Sequence, residues 1–370
     1  MAYIPAQQAR KVFTTALANI YQDFIEAPSF LSSFATNKNY RTMTVQTLAR
    51  RGTEKIAVDE IRGSKGNLNQ MTRESLLEYL PPYYKEMINI SAMNIYDISF
   101  EAGDSYNIAQ IEALAQKTAT GLNEVHKMVL RAVELQWSQA FETGVVVVKN
   151  GDSIDYNRDS SMIEVLTGDE LWDATGVDIF KFFEDKSILL RTKGKVTGGQ
   201  TVNTIMGSKA WQAFRSNKDV TNGDNLFVKN SLDFRQNPIM ESQGGVYRAT
   251  LRVGIYNFDI WTYDEYYDNA DGESTRFWDP TMVCMIPESF RGETSWAQVP
   301  RLPDFIRQDP ISNRVFTKLR GKMNGVDLYD YVNKEDEVYF AGIKAAPLAQ
   351  LISVDRVYTA KVLEDGAVVG

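Results

Sequence analysis

Residues 107–141 read NIAQIEALAQKTATGLNEVHKMVLRAVELQWSQAF. Ile108, Ile111, Ala115, Leu122, Val125, Val129, Val133 and Phe141 fall at steps of three, four and their sums, which lines apolar side chains along one stripe of an α-helix. The spacing predicts a helix over about 107–142, and at 1.5 Å per residue it spans about 50 Å. Helices of that length are unusual in compact domains, so this one is expected to act as a spine on which other elements lean.

Beyond the helix, Gly144 precedes four consecutive valines, Val145 to Val148, and Asn150-Gly151 forms a two-residue turn leading to Ile154 and Tyr156. That order reads as a strand and hairpin packed on the helix. A second unit opens near Gly168. Phe180, Phe183 and Leu190 mark a helix, Val202 to Met206 a short buried strand, and Ser208 reads as the cap of a helix carrying Trp211 and Phe214. Strands dominate from there, over 247–253, 258–263 and 282–286, separated by Gly, Asn and Asp turns. Residues 355–362 read as a strand that returns to the first unit, and no internal repeat is visible.

Upstream of the helix, Val12, Phe13, Leu17, Ile20, Tyr21 and Phe24 give an amphipathic helix over 7–24, ended by Pro28. Residues 30–40 mix Ser, Asn, Lys and Phe without a period and read as an extended arm laid over another surface, a second subunit among the candidates. Met43, Val45 and Thr47 alternate, as do Ile56 and Val58, with Gly52 between the two runs, which reads as a long hairpin. Arg50, Arg51, Arg62 and Lys65 surround it and large apolar residues are few, so the hairpin is expected to project. Prolines 81 and 82 then force an extended return.

The 370 residues suggest two domains, although one elaborate domain also fits. With 44% hydrophobic and 24% charged residues the chain has the composition of an ordinary folded protein. No apolar run reaches the ~18–20 residues of a membrane helix, and the N-terminus lacks a signal pattern, so cytoplasmic synthesis is expected. The single cysteine, Cys284, rules out an internal disulfide. A net charge of −8 argues against a dedicated nucleic-acid binder, so nucleic acid nearby is expected to be contained and not gripped.

Chemical signatures are sparse. His126 is the only histidine, which removes serine triads, paired-histidine zinc sites and HExxH helices. Cys284 lies in the apolar run Met282 to Ile286, where a free cysteine behaves as a small hydrophobe. Gly194-Lys195 and Gly198-Gly199 have the spacing of neither phosphate-binding loop. Asp264, Asp268, Asp271 and Asp279 have a metal-like density. However, placing Gly272 as the glycine of a calcium loop puts Tyr267 at the first ligand and Trp278 at the last, so Asn-Ala-Asp-Gly reads as a hairpin tip. No catalytic, cofactor-binding or metal residue is expected. Tyr263, Tyr266, Tyr267, Phe277 and Trp278 suit core and interface packing more than base stacking. Arg50, Arg51, Arg62 and Lys65 suit either phosphate or a neighbouring subunit. If a neighbour, its acidic groups are expected on the spine, at Glu112, Glu124 or Glu134.

Several phrases, in order, resemble the lambda-type phage major capsid proteins (phage major capsid protein E family), which share the Hong Kong 97 phage capsid fold. Glu134 followed by Gly144, the valine strand, Asn150-Gly151 and Asp155-Tyr156 look like that family's exit from its spine helix. Val202-Asn203-Thr204-Ile205-Met206-Gly207, with Trp211, Phe214, Asn217 and Val220, is similar to its strand-then-helix passage. Trp261, Tyr263, Tyr266, Asp268 and Gly272, then Pro287 and Gly292, resemble its later hairpin, and Ala346-Pro347-Leu348 with Asp355 and Val362 its ending. Where the family often has Phe-Gly, this chain has Tyr156-Asn157.

The resemblance implies an α+β fold with an N-terminal helix and arm (1–42), an extended β-hairpin loop (43–80) and a peripheral domain with the spine helix (81–167). An axial domain (168–345) and a C-terminal strand returning to the peripheral domain (346–370) complete it. It implies a subunit that self-assembles as hexamers and pentamers into the icosahedral head shell of a tailed bacteriophage around double-stranded DNA, found in the virion and assembled in the host cytoplasm. Portal, scaffolding and decoration proteins are the implied partners, with no cofactor and no membrane. Two rivals stand beside it: an encapsulin-like cellular shell, which needs a cargo-binding groove, and an enzyme with a carboxylate site near Asp264 and Asp268.

Overall fold

The structure is a computed structural model that describes residues 3–5, 8, 11–13, 15–17, 27–49, 75–91, 105–148, 153–221, 231–240, 243–269, 271–299, 325–333 and 338–364. The long helix runs Ile108–Glu142, 35 residues, with Val125, Val129, Val133 and Phe141 of the stripe read from the sequence all buried, and Trp137 and Ala140 buried beside them. Gly144, at φ +76°, ends it in the left-handed conformation that glycine adopts without a Cβ penalty. Its N–H donates to the Ala140 carbonyl at 3.1 Å.

A seven-stranded mixed sheet runs in the order Leu232–Met240, Gly245–Val253, Tyr256–Tyr263, Thr201–Met206, Met282–Pro287, Tyr358–Lys361 and Ile163–Val165. Its central strands separate two apolar cores. In Met282–Pro287, Cys284 and Ile286 join the core under the spine helix, while Val283 and Met285 join the core under the shorter helices Ile179–Thr192 and Ser208–Ser216. A strand buried on both faces has no polar face, which is why 282–286 reads as an unbroken apolar run. The second core is aromatic, with Phe183 5.0 Å from Phe258 edge-on and Trp172 6.2 Å from Phe214.

Ser208 does not cap its helix. Gly207 holds the cap position with no side-chain bond, and the Ser208 hydroxyl instead accepts from Arg276 Nη1 at 3.2 Å. A Cβ on Gly207 would stand 2.3 Å from the Asp279 carbonyl oxygen and 2.5 Å from the Pro280 carbonyl carbon. Only glycine lets the two backbones approach so closely.

The spine packs against two three-stranded sheets. One contains Thr36–Asn39, Gly292–Trp296 and Pro347–Leu351; the other contains Asp327–Asn333, Val338–Ala345 and Tyr84–Ser91. Gln136 Oε1 accepts from Ala349 N at 2.9 Å, and Trp137 Nε1 donates to Thr294 Oγ1 at 2.9 Å. The arm is therefore laid over its own subunit. Thr36–Asn39 pairs in parallel with Gly292–Trp296, and Leu31 is fully buried. The hairpin expected near 43–58 also pairs differently. Val45–Ala49 is laddered antiparallel to Ser75–Tyr79, and residues 50–74 between them, including Ile56 and Val58, lie outside the described residues.

Candidate assembly surfaces

The acidic residues proposed for contact divide sharply by environment. Glu112 and Glu124 are exposed on the spine, and Glu124 pairs with Lys127 at 2.9 Å, one turn away. Glu134 has no exposed surface. Its Oε1 accepts from Leu31 N at 2.6 Å and from the Tyr263 hydroxyl at 3.1 Å, and its Oε2 from Ser32 N at 3.1 Å. Burial pushes its pKa up while these donors favour the carboxylate. Glu134 thus ties the arm and the Tyr256–Tyr263 strand to the spine inside one subunit. Its expected contact with a neighbour is withdrawn, because an enclosed carboxylate offers a second chain no access. Arg50, Arg51, Arg62 and Lys65 lie outside the described residues.

Sequence reasoning missed a second internal tie. Arg158 is buried, with Nη1 donating to the Phe141 carbonyl at 2.6 Å and Nη2 to the Val357 carbonyl at 2.6 Å and Thr359 Oγ1 at 3.1 Å. Desolvation lowers its pKa to about 10, which leaves it charged near neutral pH. A cation at the spine's C-terminus also opposes the partial negative charge of the helix end. An arginine flanked by Asn and Asp in a loop gives no sequence signal of such burial. Tyr156, where the family often has Phe, donates its hydroxyl to the Ala349 carbonyl. Asn157 takes φ +50°, the left-handed region that asparagine tolerates and glycine prefers.

The surface shows apolar groups at the foot of the hairpin, with Met43, Leu80 and Tyr83 each more than half exposed. Met128 on the spine is exposed as well. Burial lowers His126 to about 4 and raises Cys284 to about 12, so the first is neutral and the second a thiol at neutral pH. Cys284 meets Thr359 Oγ1 at 3.6 Å. Asp264 is engaged by Arg276 at 3.3 Å, and Asp268 is exposed in the hairpin Tyr266–Asp268/Ser274–Arg276. Asn269 Oδ1 closes the tip, accepting from Asp271 N and Glu273 N. No group of three metal-ligating side chains occurs among the described residues, and none of their helices is long and apolar enough to cross a membrane.

A spine helix against a mixed sheet, a pinned arm and a hairpin ladder define the Hong Kong 97-type phage capsid fold. Solved structures agree. A candidate capsid protein of an Escherichia coli CFT073 prophage matches with TM-score 0.60 and 12% identity over 98% of this chain and 100% of that chain. A phage-related protein of Bordetella bronchiseptica RB50 matches with TM-score 0.52 and 10% identity over 99% and 100%. No curated protein sequence matches significantly. The sequence profile described as phage major capsid protein E matches residues 14–301, and the chain belongs to that family. Its role is structural: it self-associates into the phage shell, and its place is the virion.

Proposed function

We propose that this chain is the head-shell subunit of a tailed phage, closing as hexamers and pentamers into an icosahedral container for double-stranded DNA. The observation that carries the reading is the antiparallel ladder of Val45–Ala49 with Ser75–Tyr79, flanked by exposed Met43 and Leu80. In this reading residues 43–80 overlap a neighbouring subunit, and Arg50, Arg51, Arg62 and Lys65 meet acidic groups such as Glu112 and Glu124 there. Residues 81–167 and 346–370 form the peripheral part with the spine, and 168–345 the axial part around the aromatic core. Shells held by many modest repeated contacts close without any single tight one.

The subunit needs no cofactor and performs no catalysis. Assembly takes place in the host cytoplasm with portal, scaffolding and decoration proteins, and the acidic balance keeps DNA from adhering to the wall. Electron microscopy of the purified protein, with assay of its nucleic-acid content after expression with its phage's packaging proteins, tests this. Closed DNA-filled shells are expected; protein-filled shells would favour a cellular container, and monomers alone would sink the reading.

A further inference from the structure

One stretch of surface beside the helix Ser208–Ser216 gathers cations and aromatic rings. The helix Ser208–Ser216 turns Ala210, Ala213 and Phe214 into the second core. Its other stripe, Ser208, Trp211, Gln212 and Arg215, is spaced i, i+3, i+4, i+7 and lines a pocket of about 280 Å³ closed by Arg248, Thr262 and Asp264. Arg248 occupies an irregularity in the ladder between Gly245–Val253 and Tyr256–Tyr263. Tyr247 pairs with Trp261 and Ala249 with Ile260, leaving Arg248 with no opposite residue. Such a bulge bends the strand and re-aims the side chain it carries. Here Nε donates to Thr262 Oγ1 at 2.9 Å, and the guanidinium carbon lies 6.0 Å from the centre of the Trp211 ring.

The fork of Arg248 is thereby fixed beside Arg215. Burial and then the Arg215 charge hold its pKa below the usual arginine value. Among the described residues neither arginine has a carboxylate within ion-pair distance. The rim carboxylate, Asp264, is already engaged by Arg276, which also lies 5.2 Å from the centre of the half-exposed Tyr266 ring. Exposed Phe234 packs edge-on against Trp211 at 6.1 Å. Arginine, tryptophan and tyrosine together are the residues that dominate protein interfaces, and two unneutralised guanidiniums side by side favour an anion between them.

We infer that this pocket receives a carboxylate side chain from a second copy of the chain. The inference rests on the shell-building reading. The chain carries 48 acidic against 40 basic residues, so every neighbouring copy offers carboxylates. A pocket of this size walled by an indole suits one side chain, whereas a run of phosphates would meet Asp264 and the apolar ring of Phe234.

The test compares nuclease-treated wild type, Arg215→Glu, and the paired Arg215→Gln/Arg248→Gln variant by thermal melting, by sedimentation with electron microscopy, and by binding to a short fluorescent DNA duplex. Both variants are expected to melt as the wild type does, to assemble at least about tenfold less and to bind DNA no differently. Should Arg215→Glu misfold, the glutamine pair, which removes charge without reversing it, gives the reading. Wild-type yields of shells from a folded variant overturn the inference. Lost DNA binding with intact shells overturns it in favour of a phosphate site. A wild type that forms no shells defeats the shell reading itself, and no variant is needed to see it.

Discussion

A carboxylate with no exposed surface must be matched by donors, because an unpaired buried charge is among the costliest features a fold can carry. Glu134 accepts three such bonds, two of them from the backbone N–H groups of Leu31 and Ser32. Glu134→Ala leaves those donors empty and is expected to lower stability by about 3 kcal/mol or more, while Glu134→Gln, which keeps an acceptor, loses less. Urea melts of the two variants check the order, and equal stability of Glu134→Ala and wild type would show that aromatic packing of Phe30 alone holds the arm. Glu142 behaves differently. Desolvation chiefly pushes it from 4.5 up to about 7, against the opposing bond from Asp279 N at 2.8 Å. Between those values the folded protein holds a proton that the unfolded chain has released. Its stabilising effect is therefore complete below 4.5 and lost as pH rises through about 7. Wild type is expected to resist urea better at about pH 5 than at about pH 8, and Glu142→Gln to lose much of that difference.

Elements whose burial follows a period were legible in the sequence; ties between distant elements were not. The stripe Val125, Val129, Val133 gave the spine, and Val202 to Met206 the strand, because periodicity records a one-sided or fully buried environment directly. Val129 is 1% exposed, so Val129→Asp should cost on the order of 4 kcal/mol or more and abolish soluble folding. Normal yield with an unchanged melting temperature would refute the assignment of that face. The arm at 30–40 carries no period because its residues answer to three different partners: a carboxylate on the spine, aromatic rings on one strand and a ladder on another. Glu134 was misread for the same reason, since a charge on a helix normally marks its solvated side and only the fold reveals the donors that overturn this. The Arg215–Arg248 pocket was invisible too, because a bulge in the strand pairing brings its two walls together.

At the scale of the molecule, folding and assembly are expected to separate. Arg50→Glu/Arg51→Glu reverses two charges in the segment proposed to overlap a neighbouring subunit. If the proposal holds and these charges are solvated in the free subunit, its melting temperature should barely change, since such charges contribute typically ~0–1 kcal/mol each. Shell yield should collapse, because every copy repeats the defect around the lattice, and raised salt should weaken the wild type likewise. Normal shells from the double reversal, or a monomer that unfolds with it, would place the loop within the subunit's own fold. The sheet adds a constraint of timing. Among the described residues Ile163–Val165 reaches the rest of its sheet only through Tyr358–Lys361, and Arg158 waits for Thr359, 201 positions away in the chain. A nascent chain on the ribosome cannot close either contact until Lys361 has emerged, and a product cut short before Tyr358 keeps the edge of Met282–Pro287 bare. A chain read through to Lys361 can therefore complete this sheet, and a chain cut short before Tyr358 cannot.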